Sequence, residues 1–289
     1  MRLTSCKKKC GAHLLRILVV SLPLITVATP SFANDSEAGI SGGQLTLKKS
    51  EHIVMKSEDL FLSKTKVRVD YIFENDSKAD VKTTIAFPMP ELCLGVSDDG
   101  IETPTSFDPD AKDPLAFKVK VNGKPVTVEL DRKIRDVKTK SERCYTLTYF
   151  WDQTFPAGKT LQVTHTYTPA NDGFMVSTGK YLTEYKTEAE WRDLVTELCI
   201  EPSLTKKLES LKSESSVAVA WRLRYVLKTG ANWKGPIGNF KLTIEKPEAK
   251  DLVTLCWTGM KKINPTTFVF EAKNFTPARD LDVMFLNLP

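Results

Sequence analysis

The chain has 289 residues, 41 Lys and Arg, 36 Asp and Glu, a formal charge of +5 and six cysteines. Five of the cations and none of the acids lie in residues 1–33, so the remaining 256 residues hold 36 charges of each sign. That balance excludes a whole-protein field for nucleic acid or an acidic surface.

Arg2, Lys7, Lys8, Lys9 and Arg16 precede an apolar run over residues 17–28, followed by Thr29-Pro30-Ser31-Phe32-Ala33. Small residues stand at the first and third positions before a cut after Ala33, which completes the layout of a secretory signal peptide. The apolar run is shorter than the roughly 20 residues a membrane-spanning helix needs, and no later run reaches that length. Residues 1–33 are therefore expected to be a removed leader, with no membrane span in the periplasmic or secreted product.

Gly39-Ile40-Ser41-Gly42-Gly43 has the letters of a serine-hydrolase elbow. The elbow needs a strand before it and a helix after it. Here it follows Asn34-Asp35-Ser36 and precedes a period-two segment, so it reads as a flexible lead-in. Val67, Val69, Tyr71 and Phe73 then alternate with polar positions, as do Phe117, Val119 and Val121. The same alternation recurs at Leu161, Val163, His165 and Tyr167, at Trp221, Leu223, Tyr225 and Leu227, and in two later segments, 240–244 and 281–285. Such patterns mark antiparallel strands with one buried face. Asn122-Gly123 is a two-residue hairpin signal, since both residues tolerate positive φ. Phe87-Pro88-Met89-Pro90 ends a strand, because proline cannot donate to a ladder.

Residues 98–114 hold Asp98, Asp99, Glu102, Asp108, Asp110 and Asp113 among three prolines, and read as a solvated loop without calcium-site spacing. His165 falls on the apolar face of its strand, which favours a core histidine. Tyr145, Tyr149 and Trp151 favour the core over a stacking platform. Trp191, Leu194, Val195 and Leu198 form a helical stripe, Thr187 with Glu190 has capping-box spacing, and Leu204, Leu208 and Leu211 continue beyond Pro202. A helical insert is expected at about 186–213. Arg222, Arg224 and Lys228 form a short basic stripe, read as a solvated strand face. The loop over 228–240 carries three glycines and one proline, with Trp233 and Ile237 as packing anchors.

Cys93, Cys144, Cys199 and Cys256 remain after the leader; an even count in an exported chain implies two disulfides with three connectivities open. One pair falls in each half, so Cys93–Cys144 and Cys199–Cys256 are expected. No C-x-x-C occurs and only His52 and His165 remain, so neither a metal nor a cofactor is expected.

Asn34-Asp35-Ser36, Ser57-Glu58-Asp59-Leu60, the element at 87–90, Tyr149-Phe150-Trp151, Phe155-Pro156-Ala157-Gly158, residues 225–240, and Phe275-Thr276-Pro277 with Arg279-Asp280-Leu281-Asp282 resemble a bacterial family of exported proteins, domain of unknown function 4424. The resemblance implies export and supplies no activity or catalytic residue. Phe-Pro-x-Pro at a strand end is also similar to β-sandwich domains that precede von Willebrand-type modules.

The expectation is an all-β protein of two antiparallel β-sandwich-like halves, 34–172 and 173–289, with the helical insert in the second. Its expected role is non-enzymatic binding of an envelope protein or small ligand, and not nucleic acid, through Trp233, Gly235, Pro236 and Ile237. The alternatives are an envelope hydrolase using Ser41 or the acidic loop together with His165, and a scaffold component.

Overall fold

A computed structural model describes residues 34–41, 44–94, 107–137, 142–211 and 217–288. The expected leader, Gly42, Gly43, Asp98, Asp99 and Glu102 lie outside the described residues.

In chain order the first strands are β1 (Ser36–Ser41), β2 (Gln44–Lys48), β3 (Ile53–Ser63), β4 (Val67–Asn75), β5 (Val81–Pro88) and β6 (Leu92–Leu94). Next come β7 (Lys118–Val121), β8 (Lys124–Val126), β9 (Glu129–Val137), β10 (Glu142–Phe155), β11 (Thr160–Tyr167) and β12 (Asp172–Ser177). Helices α1 (Gly179–Tyr185), α2 (Ala189–Glu197) and α3 (Pro202–Glu209) follow. The chain then returns to β13 (Val217–Tyr225), β14 (Ile237–Glu245), β15 (Leu252–Leu255), β16 (Lys261–Lys262), β17 (Thr267–Phe275) and β18 (Leu281–Asn287).

These strands build three sheets. One has the order β2-β1-β5-β10, with β6 and β9 also pairing with β10. The second runs β16-β17-β14-β3-β4-β11-β7-β8, and the third β12-β13-β18-β15. The architecture is therefore all-β and sandwich-like. The division at 172/173 does not separate two sheets, because the eight-stranded sheet takes β14, β16 and β17 from beyond it. Its joint is the parallel pair β3–β14, where Leu60 stands opposite Leu242. Gly238 is required there: a Cβ would sit 2.6 Å from the Lys56 carbonyl oxygen.

Period-two patterning bears out in the burial of β4, where Val67, Val69, Tyr71 and Phe73 are enclosed. Asn122 (φ 48°) and Gly123 (φ 77°) link β7 to β8 in the left-handed conformation that a tight hairpin demands. The Gly39–Ser41 segment is not a lead-in: it belongs to β1, which pairs with both β2 and β5.

The third sheet is buried on both faces. Leu223, Tyr225, Val283 and Phe285 enter the main core, while Ala218, Ala220, Met284 and Leu286 face a second core. Leu182, Trp191, Leu198 and Leu208 from the helices close that second core. The insert thus covers an apolar sheet face that would otherwise be wet, and it begins at Gly179, earlier than its stripe suggests. Thr187 does not cap α2. Glu188 occupies the N-cap, and the Thr187 hydroxyl donates instead to the Glu184 carbonyl (3.4 Å).

Candidate functional site

The loop before β14 is pinned from within. Trp233 is 1% exposed, with its ring 4.6 Å from Phe73, and Ile237 is fully enclosed. The Lys234 amide donates to the Ile53 carbonyl (2.9 Å), and Lys234 pairs with Asp76. Lys234, Gly235 and Pro236 are exposed together, at a turn where Gly235 has φ 75°. Of the four residues expected to recognise a partner, Trp233 and Ile237 are packing anchors and Gly235 and Pro236 form the exposed tip. The reason is size and polarity: the large apolar side chains stabilise the fold most where water is excluded.

A concavity opens where α3, β14, β15 and β17 meet. This groove of about 420 Å³ has Ile244, Val253, Leu255, Trp257, Met260 and Phe268 as its apolar lining. Glu201, Ser203, Lys207 and Thr254 supply its polar groups. Trp257 is held edge-on by Phe270, with ring centroids 5.3 Å apart. The wall is fixed by the Cys199–Cys256 disulfide and by the Thr254 hydroxyl, which donates to the Leu198 carbonyl (3.1 Å). Cys199 ends α2 at φ 50°, while the Ile200 amide closes back onto Val195 (3.0 Å). Glycine usually takes that left-handed position. A cysteine stands there because the bridge needs a side chain at the helix end. The sequence offered no sign of this groove, since its lining comes from four separate segments.

A third locus is wholly internal. Asn34, Asp35, Glu58, Tyr71, His165 and Tyr225 are all 0–1% exposed. Asn34 donates to the Glu58 carboxylate (3.2 Å) and accepts from the Tyr71 hydroxyl (2.5 Å). Tyr225 also hydrogen-bonds Glu58. His165 Nε2 lies 3.4 Å from Asp35 Oδ2. Burial raises the Asp35 carboxyl well above its usual range and lifts Glu58 to about 8, while it lowers His165 to about 3. The imidazole is therefore neutral at neutral pH. Glu58 reaches this interior through a bulge between Met55 and Ser57 that shifts the strand's parity, a feature invisible to simple alternation.

The remaining sequence candidates separate. Ser41 ends β1 and leads to β2 rather than to a helix, so the nucleophile elbow does not form, and His165 is enclosed elsewhere. Asp113 is occupied by the Phe117 amide and the Tyr149 hydroxyl, each at 3.0 Å. Tyr145, Tyr149 and Trp151 are core residues. Each member of the basic stripe faces a carboxylate: Arg222 meets Asp282 and Glu197, Arg224 meets Asp172 and Lys228 meets Asp280. Cys93 and Cys144, directly opposite on β6 and β10, form the other disulfide. The one trio with metal-ligand spacing among the described residues is Glu91 with these two bridged sulfurs, which a disulfide makes unsuitable as thiolate ligands.

Residues 33–143 and 136–284 match the family described as a domain of unknown function, DUF4424. The chain belongs to this family. No curated protein matches it. Among solved structures, this DUF4424 protein is similar to a protein from Legionella pneumophila provisionally named a nutrient binding protein. The likeness has 18% identity and a TM-score of 0.50, covering 87% of this chain and 69% of the other. At that identity it establishes a shared fold. No helix among the described residues is long and apolar enough to cross a membrane.

Proposed function

We propose that this protein is an exported, non-enzymatic binding module that takes a small ligand with an apolar body and a polar end. The observation that carries this reading is the groove beneath α3. An aromatic and aliphatic lining with a few polar groups, in a volume of about 420 Å³, is the usual constitution of a small-molecule site. Glu201 and Lys207 place opposite charges beside that lining, where a polar end could be held. The bridge from Cys199 preorganises the wall, which lowers the ordering cost of binding. Two disulfides suit an oxidising compartment such as the periplasm. The provisional name of the Legionella relative is in keeping with this reading. The exposed Gly235–Pro236 tip, on its buried Trp233 and Ile237 anchors, is a secondary surface suited to contact with an envelope protein.

The test is thermal-shift screening of the protein against amino acids, short peptides, sugars and fatty acids, repeated with Trp257→Ala and Lys207→Ala. A ligand class that raises the Tm of the parent and not of the folded variants is expected. Binding that survives both substitutions would remove the groove as the site. A silent screen, together with an envelope protein crosslinked through position 235, would replace small-molecule binding with protein interaction.

A further inference from the structure

The buried cluster at Asn34 gathers two acids with no charged basic side chain to meet them. Asp35 and Glu58 are two carboxylates in the same enclosed space, and the raised Asp35 carboxyl reflects both its burial and its neighbour Glu58. Among the described residues no lysine or arginine pairs with either. Neither Asp35 oxygen has a hydrogen-bond partner. His165, the one basic side chain beside it, is held neutral by burial. Isolated carboxylates in such surroundings must be protonated or supplied with a cation, because desolvation of an unpaired charge costs several kcal/mol or more.

Asn34 itself is fixed from three sides. Its side chain bridges Glu58 on β3 and Tyr71 on β4, and its carbonyl accepts from the Thr229 hydroxyl (3.1 Å) of the loop after β13. The residue is 0% exposed. Its backbone nitrogen is one residue from the Asp35 carboxylate, and consecutive Cα atoms are only about 3.8 Å apart. Asn34 is also the residue that follows the expected leader cut.

We infer that cleavage between Ala33 and Asn34 completes this fold by creating the missing cation, the α-ammonium of Asn34, inside the Asp35–Glu58 cluster. Water adds across the Ala33–Asn34 amide under a leader protease. Ala33 departs with the new carboxylate, and Asn34 keeps the nitrogen, which takes up protons to become –NH₃⁺. That group offers three donors, and the two Asp35 oxygens otherwise have none. In the uncleaved precursor the same nitrogen is an uncharged amide, so the cluster stays unbalanced and the precursor is less stable. Removal of the leader then acts as a maturation step, and a chain exported unfolded gains its full stability only after transport.

The inference rests on the leader reading, and the experiment separates the two. Intact-mass analysis of protein recovered from the host envelope is expected to show a chain beginning at Asn34; any other start overturns both the cut and the ammonium. Three forms are then compared by thermal unfolding: the chain with a free Asn34 amine, the same chain with that amine acetylated, and a chain with one glycine added before Asn34. Each is also made with Asp35→Asn. The free-amine form is expected to exceed the other two in Tm by on the order of 5–10 °C, and the gap is expected to shrink by more than half with Asp35→Asn. A purely steric effect of the added group would persist in that background, and this persistence would overturn the charge pairing. Equal Tm values for all three forms would overturn it as well, leaving the leader cut standing.

Discussion

Two clusters of carboxylates, one partly open to water at the insert and one enclosed at Asn34, are balanced in different ways in this protein. At the insert, Arg222 sits between Asp282 and Glu197, with its Nε 2.8 Å from Asp282. Hydrogen bonding to Asp282 raises the guanidinium further above its already high range. The charges there close within one cluster of side chains, and they tie α2 to β13 and β18. At Asn34, Asp35 and Glu58 are more deeply buried and have no cationic side chain. The contrast teaches that the second cluster has no charged side chain to balance it, which leaves protonation of its acids or the inferred Asn34 ammonium to do so.

The largest expected effect comes from Asp35→Asn. In the free-amine protein it removes the carboxylate next to the ammonium and leaves Glu58 as the remaining counter-charge, so it should cost about 3 kcal/mol in denaturant unfolding, the low end for loss of one partner of a buried pair. In the amine-blocked chain the same substitution should be neutral or stabilising, since it removes an unpaired acid. A loss of equal size in both would break the comparison.

The two disulfides sharpen it at the insert. They close loops of similar length, with separations of 51 and 57 residues, so each should contribute about 2–4 kcal/mol. Their local consequences differ. Cys93–Cys144 joins residues already opposed on paired strands, whereas Cys199–Cys256 joins a helix end to the groove wall. Replacing Cys199 and Cys256 by serine should expose amides of α2 to hydrogen exchange and abolish groove binding. Replacing Cys93 and Cys144 should leave both intact.

Arg222→Met should cost less, about 1–2 kcal/mol, because its site is partly open to water. Faster hydrogen exchange confined to the insert would identify the loss as local.

The smallest effect is in pH dependence. A carboxyl raised on folding contributes stability below its unfolded value that is lost as pH rises through its folded value. For Glu58 in the amine-blocked chain the window runs from 4.5 to about 8, and the free amine should make the decline shallower. Glu58→Gln should remove it. His165 gives the opposite limb. A histidine lowered from 6.5 to about 3 loses its stabilising contribution as pH falls through that interval, whatever the state of the amine.

Much of the fold was legible in local pattern. The alternation in β4 and β11, the Asn122-Gly123 turn and the Trp191 stripe each depend on neighbours within a few residues, and each took the expected form, whereas β13 proved buried on both faces. What was hidden depends on distance along the chain. Pairing of β3 with β14 joins residues about 180 positions apart, and merges what period-two reading divides at residue 172. The groove draws its lining from α3, β14, β15 and β17 for the same reason. Asn34 and Asp35 look like solvated letters after a leader, and Glu58 shares the buried parity of Leu60 and Leu62 only because of the bulge between Met55 and Ser57. The Trp233 loop was legible as ordered, and its large side chains proved to be the part that orders it.

The most direct measurement is a titration of the Asn34 α-amine by ¹⁵N NMR in the mature protein. The account predicts a slowly exchanging ammonium whose pKa lies above the usual value of about 8 and falls in Asp35→Asn. A rapidly exchanging amine that titrates at its ordinary value in both proteins would contradict it.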